Sequence, residues 1–172
     1  MNASNTPAYD ELMNVLYSMK DRWKDEYAIG MALANADGDL DLSNAAYKYV
    51  VVLHGGPGTG KSTTLRIIGM LFPFQCMPVV RLGPCKHFGK VAICHDCDVR
   101  HIDDYYIPED MVTFLATNVN YTPDWAIIIS MSGKRVSMTR YIELMNKIAL
   151  DELDAIKQHC REVYEFRLPV II

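Results

Sequence analysis

No apolar run in this chain approaches the roughly 20 residues that a helix needs to span a bilayer, so a membrane segment is not expected. The opening residues Met1-Asn2-Ala3-Ser4-Asn5 have neither the charged region nor the apolar stretch of an export signal. A soluble intracellular protein, of cytoplasm or nucleus, is the expectation. Cysteine is sparse and odd in number, five in 172 residues, which argues against a disulfide scaffold and for reduced thiols. Positive charge does not dominate either: 17 Lys and Arg stand against 21 Asp and Glu, a net charge of −4. A surface that coats nucleic acid broadly is therefore excluded, and any contact with DNA or RNA has to be local, in a loop or channel. From Tyr105 to Trp125 there is no lysine or arginine at all. What remains is the composition of an enzyme core. At 50% hydrophobic and 22% charged residues, the chain suffices for one α/β domain with a sizeable core and is too short for two full ones.

The stretch that organises the chain begins with Tyr49-Val50-Val51-Val52-Leu53-His54, a short continuous run rich in β-branched residues. Such a run reads as a strand buried on both faces in a parallel sheet. Gly55-Gly56-Pro57-Gly58-Thr59-Gly60-Lys61-Ser62 follows directly and fits G-x-x-x-x-G-K-[ST], a phosphate-binding loop. Glycines at Gly58 and Gly60 let the backbone turn successive N–H groups toward an anion, where a side chain would block the geometry. Lys61 supplies a mobile charge for the β- and γ-phosphates of a nucleotide, and the Ser62 hydroxyl is placed to ligate Mg²⁺. From Thr63 to Leu71 a helix is predicted, its N-terminus directing a positive partial charge at the same phosphates. Strand before, loop, and helix after together meet the context expected of a nucleotide site for ATP and Mg²⁺.

Around this centre the pattern alternates between helix and strand. Thr6-Pro7 reads as an N-cap followed by proline at the first helical position, and Tyr9, Leu12, Met13, Leu16, Met19 and Trp23 follow at helical spacing. Tyr27 to Ala36 is predicted as a second short helix despite Gly30, closed by the turn Asp37-Gly38-Asp39. Asp37, Asp39 and Asp41 have the spacing that opens a calcium loop, but Leu42 and Lys48 stand where that loop needs glycine and glutamate. Residues 1–45 are expected to form a helical N-terminal extension and residues 46–172 the nucleotide domain. Met77 to Leu82 is read as a second strand. Met111 to Ala116 is read as a short helix, Trp125 to Ser130 as a further buried strand, Thr139 to Arg161 as a helix, and Val163 to Ile172 as an additional strand.

Lys90-Val91-Ala92-Ile93-Cys94-His95-Asp96-Cys97-Asp98 starts about 30 residues past Lys61, an apolar strand running into carboxylates. This is the form of a Walker B strand, which delivers a carboxylate to hold the metal or polarise the attacking water. Asp96 is the first choice, for metal and catalysis, and Asp98 the second. Cys85, His87, Cys94, His95 and Cys97 also lie close together, but Cys94-x-x-Cys97 has no second knuckle to complete a zinc site. As part of a buried strand, Cys94 reads as a core residue.

Taken together, Walker A at Gly55 to Ser62, Walker B at Val91 to Asp98 and an apolar strand ending at Ser130 resemble the compact ATPase core of superfamily 3 helicases, the AAA+-related replication proteins of small DNA viruses and phages. The segment Cys160 to Arg167 resembles the region after motif C in papillomavirus-type members, where an arginine enters the neighbouring subunit's site. The resemblance covers roughly Ala46 to Phe166. It implies a P-loop three-layer α/β sandwich with a mainly parallel sheet. It also implies ATP bound between the subunits of a homo-oligomeric ring, possibly hexameric, and a single nucleic acid strand in the central channel. By the same resemblance Lys61 and Ser62 take the phosphate and Mg²⁺ roles, Asp96 takes the acidic Walker B position, and Arg161 serves as arginine finger, with Arg167 and Arg140 as fallbacks; Thr63, at the helix start, is a further nucleotide-binding candidate of the loop itself.

Two departures are visible. Motif C of the family ends in an asparagine that positions the hydrolytic water, and the matching place here holds Ser130-Met131-Ser132, with Ser130 as the catalytic candidate to substitute in part for it. The family's lysine-bearing hairpin is missing, and Lys134 and Arg135 are the nearest basic pair. Two other function classes therefore stand beside the helicase-type ATPase. One is a small nucleotide or nucleoside kinase, against which the lack of an arginine-rich lid counts. The other is a non-hydrolysing, nucleotide-dependent assembly protein.

Overall fold

The computed structural model describes residues 5–16, 22–40, 49–56, 59–73, 76–78, 91–95, 98, 100, 111–119, 126–131 and 136–171. Two helices come first, α1 (Pro7–Leu16) and α2 (Arg22–Ala36). The strand β1 (Tyr49–His54) leads to α3 (Lys61–Leu71), and β2 (Cys76–Pro78), β3 (Val91–Cys94), β4 (Val112–Thr117) and β5 (Ile127–Ser130) follow. The chain then runs through α4 (Met138–Lys147), a π turn (Ile148–Glu152) and α5 (Leu153–Ile171). None of the described helices is long and apolar enough to cross a membrane.

The five strands among the described residues form one sheet in the order β2-β3-β4-β1-β5, and every pairing between them is parallel. In register, Val51 of β1 lies beside Phe114 of β4 and Ile127 of β5, so the odd residues of β1 share a face with Phe114, Ala116 and Ile129. That face carries the main core, where Val51, Leu53 and Phe114 pack with residues of all five α-helices. Val50, Val52 and Leu115 are buried on the opposite face, with Cys94, Val119, Ala126 and Ile128 packed against them. A central parallel strand is covered on both sides and so has no polar alternation for a sequence pattern to show.

β4 corrects one expectation. Met111 to Ala116 was expected to be helical, yet Val112–Thr117 is a strand lying between β1 and β3, with all six residues buried. A short continuous apolar run has no period to distinguish strand from helix; its length of six and its β-branched content match the strand. The C-terminus corrects a second. Val163 onward was expected to form a strand, but α5 continues through Ile171. Cys160 and Tyr164, one helical turn apart, are buried against α2 and extend the helical face of Ile156. Tertiary packing there overrides the local alternation. Of the strand expected at Met77–Leu82, Cys76–Pro78 is a strand and residues 79–82 lie outside the described residues.

Gly30, read as an obstacle to helix formation, is what lets α2 and α5 meet. A Cβ placed on it would lie 2.1 Å from the Cys160 carbonyl oxygen and 2.6 Å from the Tyr164 Cβ. The N-terminus of α1 is also held from afar. Ala8 and Tyr9 donate their backbone N–H groups to the Glu152 carboxylate at 3.0 and 2.9 Å. A buried carboxylate thus satisfies two orphan donors of the first turn and faces the positive end of the helix dipole.

Candidate nucleotide site

The C-terminal edge of the sheet is where β1 turns into α3. His54 stands in register with Thr117 of β4 on one side and Ser130 of β5 on the other. Gly55 N–H donates to the Thr117 carbonyl at 3.4 Å, and Met131 N–H donates to the His54 carbonyl at 2.9 Å. Both neighbouring strands therefore grip the chain at the point where the loop departs. Ligands of open parallel sheets bind in this crevice, outside the carboxyl ends of the strands.

The loop closes on itself through its small residues. A Cβ on Gly55 would lie 2.6 Å from Thr59 Oγ1 and 2.9 Å from the Met131 carbonyl oxygen, so only glycine fits. Thr59 Oγ1 donates to the Gly56 carbonyl at 2.8 Å. Gly60 caps α3 with φ of 94°, a left-handed conformation that costs glycine little. Pro57 and Gly58 lie outside the described residues. Lys61, the first residue of α3, folds its ammonium over the loop and donates to the carbonyls of Gly55 at 2.6 Å and Gly56 at 2.7 Å, with Thr59 Oγ1 at 3.3 Å. Ser62 is exposed and Thr63 half-buried on the same turn, while Thr64 is buried and donates its hydroxyl to the Gly60 carbonyl at 3.2 Å. No acidic residue stands in the first turn of α3. A lysine ammonium, an exposed hydroxyl and the N-terminal end of α3 thus meet at this edge: the ammonium and the helix end suit a polyphosphate, and the hydroxyl oxygen of Ser62 suits a magnesium ion.

The acidic candidates separate. Asp96 and Cys97 lie outside the described residues. Asp98 accepts from Arg100 at both oxygens, 3.0 Å from Nε and 2.8 Å from the terminal nitrogen, and from the Arg100 backbone N–H at 3.1 Å. Its charge is therefore already matched within its own loop. β3, which leads to these residues, is separated from β1 by β4. Cys94 packs beside Val50, Val52 and Leu115, as the core reading expects.

Ser130 ends β5, exposed, on the side of β1 away from β3. The strand between β1 and β3 is β4, and the residue following it, Asn118, is exposed at the same edge. Sequence reasoning missed Asn118 because its strand was read as a helix. Arg161 lies on α5, and its guanidinium donates to Asp37 at 2.8 Å, Asp39 at 2.9 Å and Glu165 at 3.4 Å. Arg140 pairs with Glu11 and Glu143. The side chain of Arg167, and Lys134 with Arg135, lie outside the described residues.

No protein-family model matches this chain, and no curated protein matches it. Among solved structures it is similar to a candidate ATPase from Cytophaga hutchinsonii, with 10% sequence identity and a TM-score of 0.34 over 92% of this chain. The match spans 61% of that protein's length.

Proposed function

We infer that the chain binds ATP with Mg²⁺ at Gly55–Ser62 and hydrolyses it, as a P-loop ATPase acting on nucleic acid. The observation that carries this reading is the junction of β1 and α3. There the glycine-closed loop ends at a left-handed Gly60, and the Lys61 ammonium lies over the loop carbonyls. Those ammonium donors are available to phosphate oxygens, which are stronger acceptors than the neutral carbonyls they replace. Lys61 serves the β- and γ-phosphates, Thr63 and the loop N–H groups the rest of the polyphosphate, and Ser62 with Asp96 the metal. When bound, Mg²⁺ neutralises charge that builds on the transferred phosphoryl group. Asp98 is paired with Arg100, which leaves the metal and base roles to Asp96.

Asn118 offers the attacking water a side-chain amide from the strand between β1 and β3, and Ser130 stands across from it on β5. This supplies the asparagine that the motif C position at Ser130 lacks, and it supports the superfamily 3 type of core with a three-layer sandwich. In a ring of such subunits, Arg161 has to leave Asp37, Asp39 and Glu165 to reach a neighbour's γ-phosphate. Arg167 and Arg140 are the alternatives to it. Lys134 and Arg135 are the basic pair for single-stranded nucleic acid.

The test is ATP hydrolysis by the purified chain, with and without single-stranded DNA, beside Lys61→Ala. A slow turnover that DNA stimulates and Lys61→Ala abolishes is expected. ATP binding with no Lys61-dependent turnover at any protein concentration overturns the hydrolase and leaves a nucleotide-gated assembly module. Phosphate transfer to a nucleoside monophosphate identifies a kinase instead.

A further inference from the structure

We propose that Tyr141 is the specificity-determining residue that contacts the nucleoside end of the nucleotide, which rests on the P-loop reading and adds a side chain from a different helix to it. The phenol oxygen of Tyr141, in α4, accepts from the Arg66 guanidinium at 2.9 Å, and the Thr63 hydroxyl lies 3.5 Å from it. A guanidinium has only donors, so the phenol oxygen accepts there and its own hydrogen is left for another acceptor. Thr63 follows Ser62 and Lys61 in the first turn of α3. In a P-loop the lysine serves the β- and γ-phosphates and the serine hydroxyl the metal between them, while the backbone cradles the α- and β-phosphates. The next residue on this helix end belongs to the α-phosphate side. Tyr141, touching Thr63, stands where polyphosphate gives way to sugar and base.

Its helix, α4, is anchored at the N-terminal end. Ser137 Oγ accepts the Arg140 N–H at 3.2 Å and caps the helix. The Arg140 guanidinium makes a two-bond pair with Glu11 of α1, at 2.7 and 2.5 Å. The Tyr141 ring is half-buried, so one part of it is held by protein while another is open to a ligand. A rigid aromatic group with a spare donor suits a nucleoside, which offers a flat base and ribose oxygens, and has nothing to recognise in a bare polyphosphate.

The experiment compares ATP with inorganic tripolyphosphate, both with Mg²⁺, by calorimetric titration of the full chain and of Tyr141→Phe, Tyr141→Ala and Lys61→Ala. Tyr141→Phe keeps the ring and the packing and removes only the hydroxyl. It is expected to weaken ATP about three- to tenfold, the worth of one net hydrogen bond, and to leave tripolyphosphate within about twofold; Tyr141→Ala extends the same split. If both ligands weaken together, or neither does, while Lys61→Ala weakens both, Tyr141 has no nucleoside contact and the P-loop reading survives. If Lys61→Ala changes neither ligand, the P-loop reading itself fails and this proposal with it.

Discussion

Glu152, in the π turn between α4 and α5, accepts the backbone N–H groups of Ala8 and Tyr9 and so caps a helix more than 140 residues earlier in the chain. The carboxylate is buried at 1% exposure. Removing it leaves two N–H groups without partners in the core. Hydrogen bonds to charged groups contribute about 1.5–3 kcal/mol each, so Glu152→Ala, which removes two, is expected to destabilise the fold by about 3–6 kcal/mol. Glu152→Gln keeps an acceptor but no charge and should cost about half as much. Urea denaturation followed by circular dichroism measures both, and equal midpoints for wild type and Glu152→Ala would show that the cap contributes nothing.

The α2–α5 contact makes a second, independent demand. Since a Cβ at Gly30 would lie 2.1 Å from the Cys160 backbone oxygen, Gly30→Ala cannot be absorbed by a side-chain rotation. The helices have to separate. Overpacking against backbone, with no side chain to turn aside, falls at the upper end of about 1–3 kcal/mol, which outweighs the roughly 1 kcal/mol that alanine gains over glycine in helix propensity. The expected outcome is a net loss of thermal stability, and a rise in Tm for Gly30→Ala would disprove the close approach.

A buried group without a partner gives the opposite sign. Thr113 of β4 is fully buried, and its hydroxyl has no hydrogen-bond partner among the described residues. Valine has nearly the same shape and no polar atom to desolvate. Thr113→Val is therefore expected to stabilise the fold by about 1 kcal/mol, read as a higher denaturation midpoint. A lower midpoint would mean that the hydroxyl is in use.

Glu26 links three helices: its carboxylate accepts from Tyr9 Oη at 3.1 Å, Arg22 Nε at 3.2 Å and His159 Nε2 at 2.9 Å. The hydrogen bond to Glu26 raises the His159 pKa above the ordinary imidazole value, against a smaller opposing effect of burial. A group whose pKa is raised on folding binds its proton more tightly in the native state. Its contribution is complete below the unfolded pKa of about 6.5 and disappears as pH rises through the folded value. Wild-type stability is expected to carry a component that falls from about pH 6 upward through neutrality, and His159→Gln should lack that component. Parallel pH profiles of the two proteins would remove His159 from the network.

These partners also mark what the sequence can and cannot show. The segment from Tyr49 to Leu71 was legible because every signal in it is local: an apolar β-branched run, glycines at fixed offsets and a lysine at the helix start. Val112–Thr117 was not, because a strand buried on both faces carries no alternation, and with it Asn118 was lost from view. The pairs of Glu152 with Ala8, Arg161 with Asp37 and His159 with Glu26 join residues more than 120 positions apart. No periodicity encodes such contacts. Arg161 read as a free finger for this reason, and the aspartates that hold it read as a turn.

The strand order decides which polar tip to test in catalysis. β4 lies between the loop-bearing β1 and β3, whereas β5 is on the outer side of β1. On the proposed ATPase reading, with the acidic residue following β3, a water attacking the γ-phosphate is expected on the side of Asn118 rather than Ser130. Fixing one reactant in line contributes on the order of 10²-fold to a rate. Asn118→Ala is expected to lower kcat for ATP by about that factor while leaving nucleotide affinity within about threefold, since the amide acts on the water and not on the phosphates. Ser130→Ala should lower kcat by less than about fivefold. Single-turnover hydrolysis, with binding measured separately, distinguishes the two variants. The reverse ranking would put the attacking water on the β5 side and restore Ser130 to the role that its place in the sequence first assigned it.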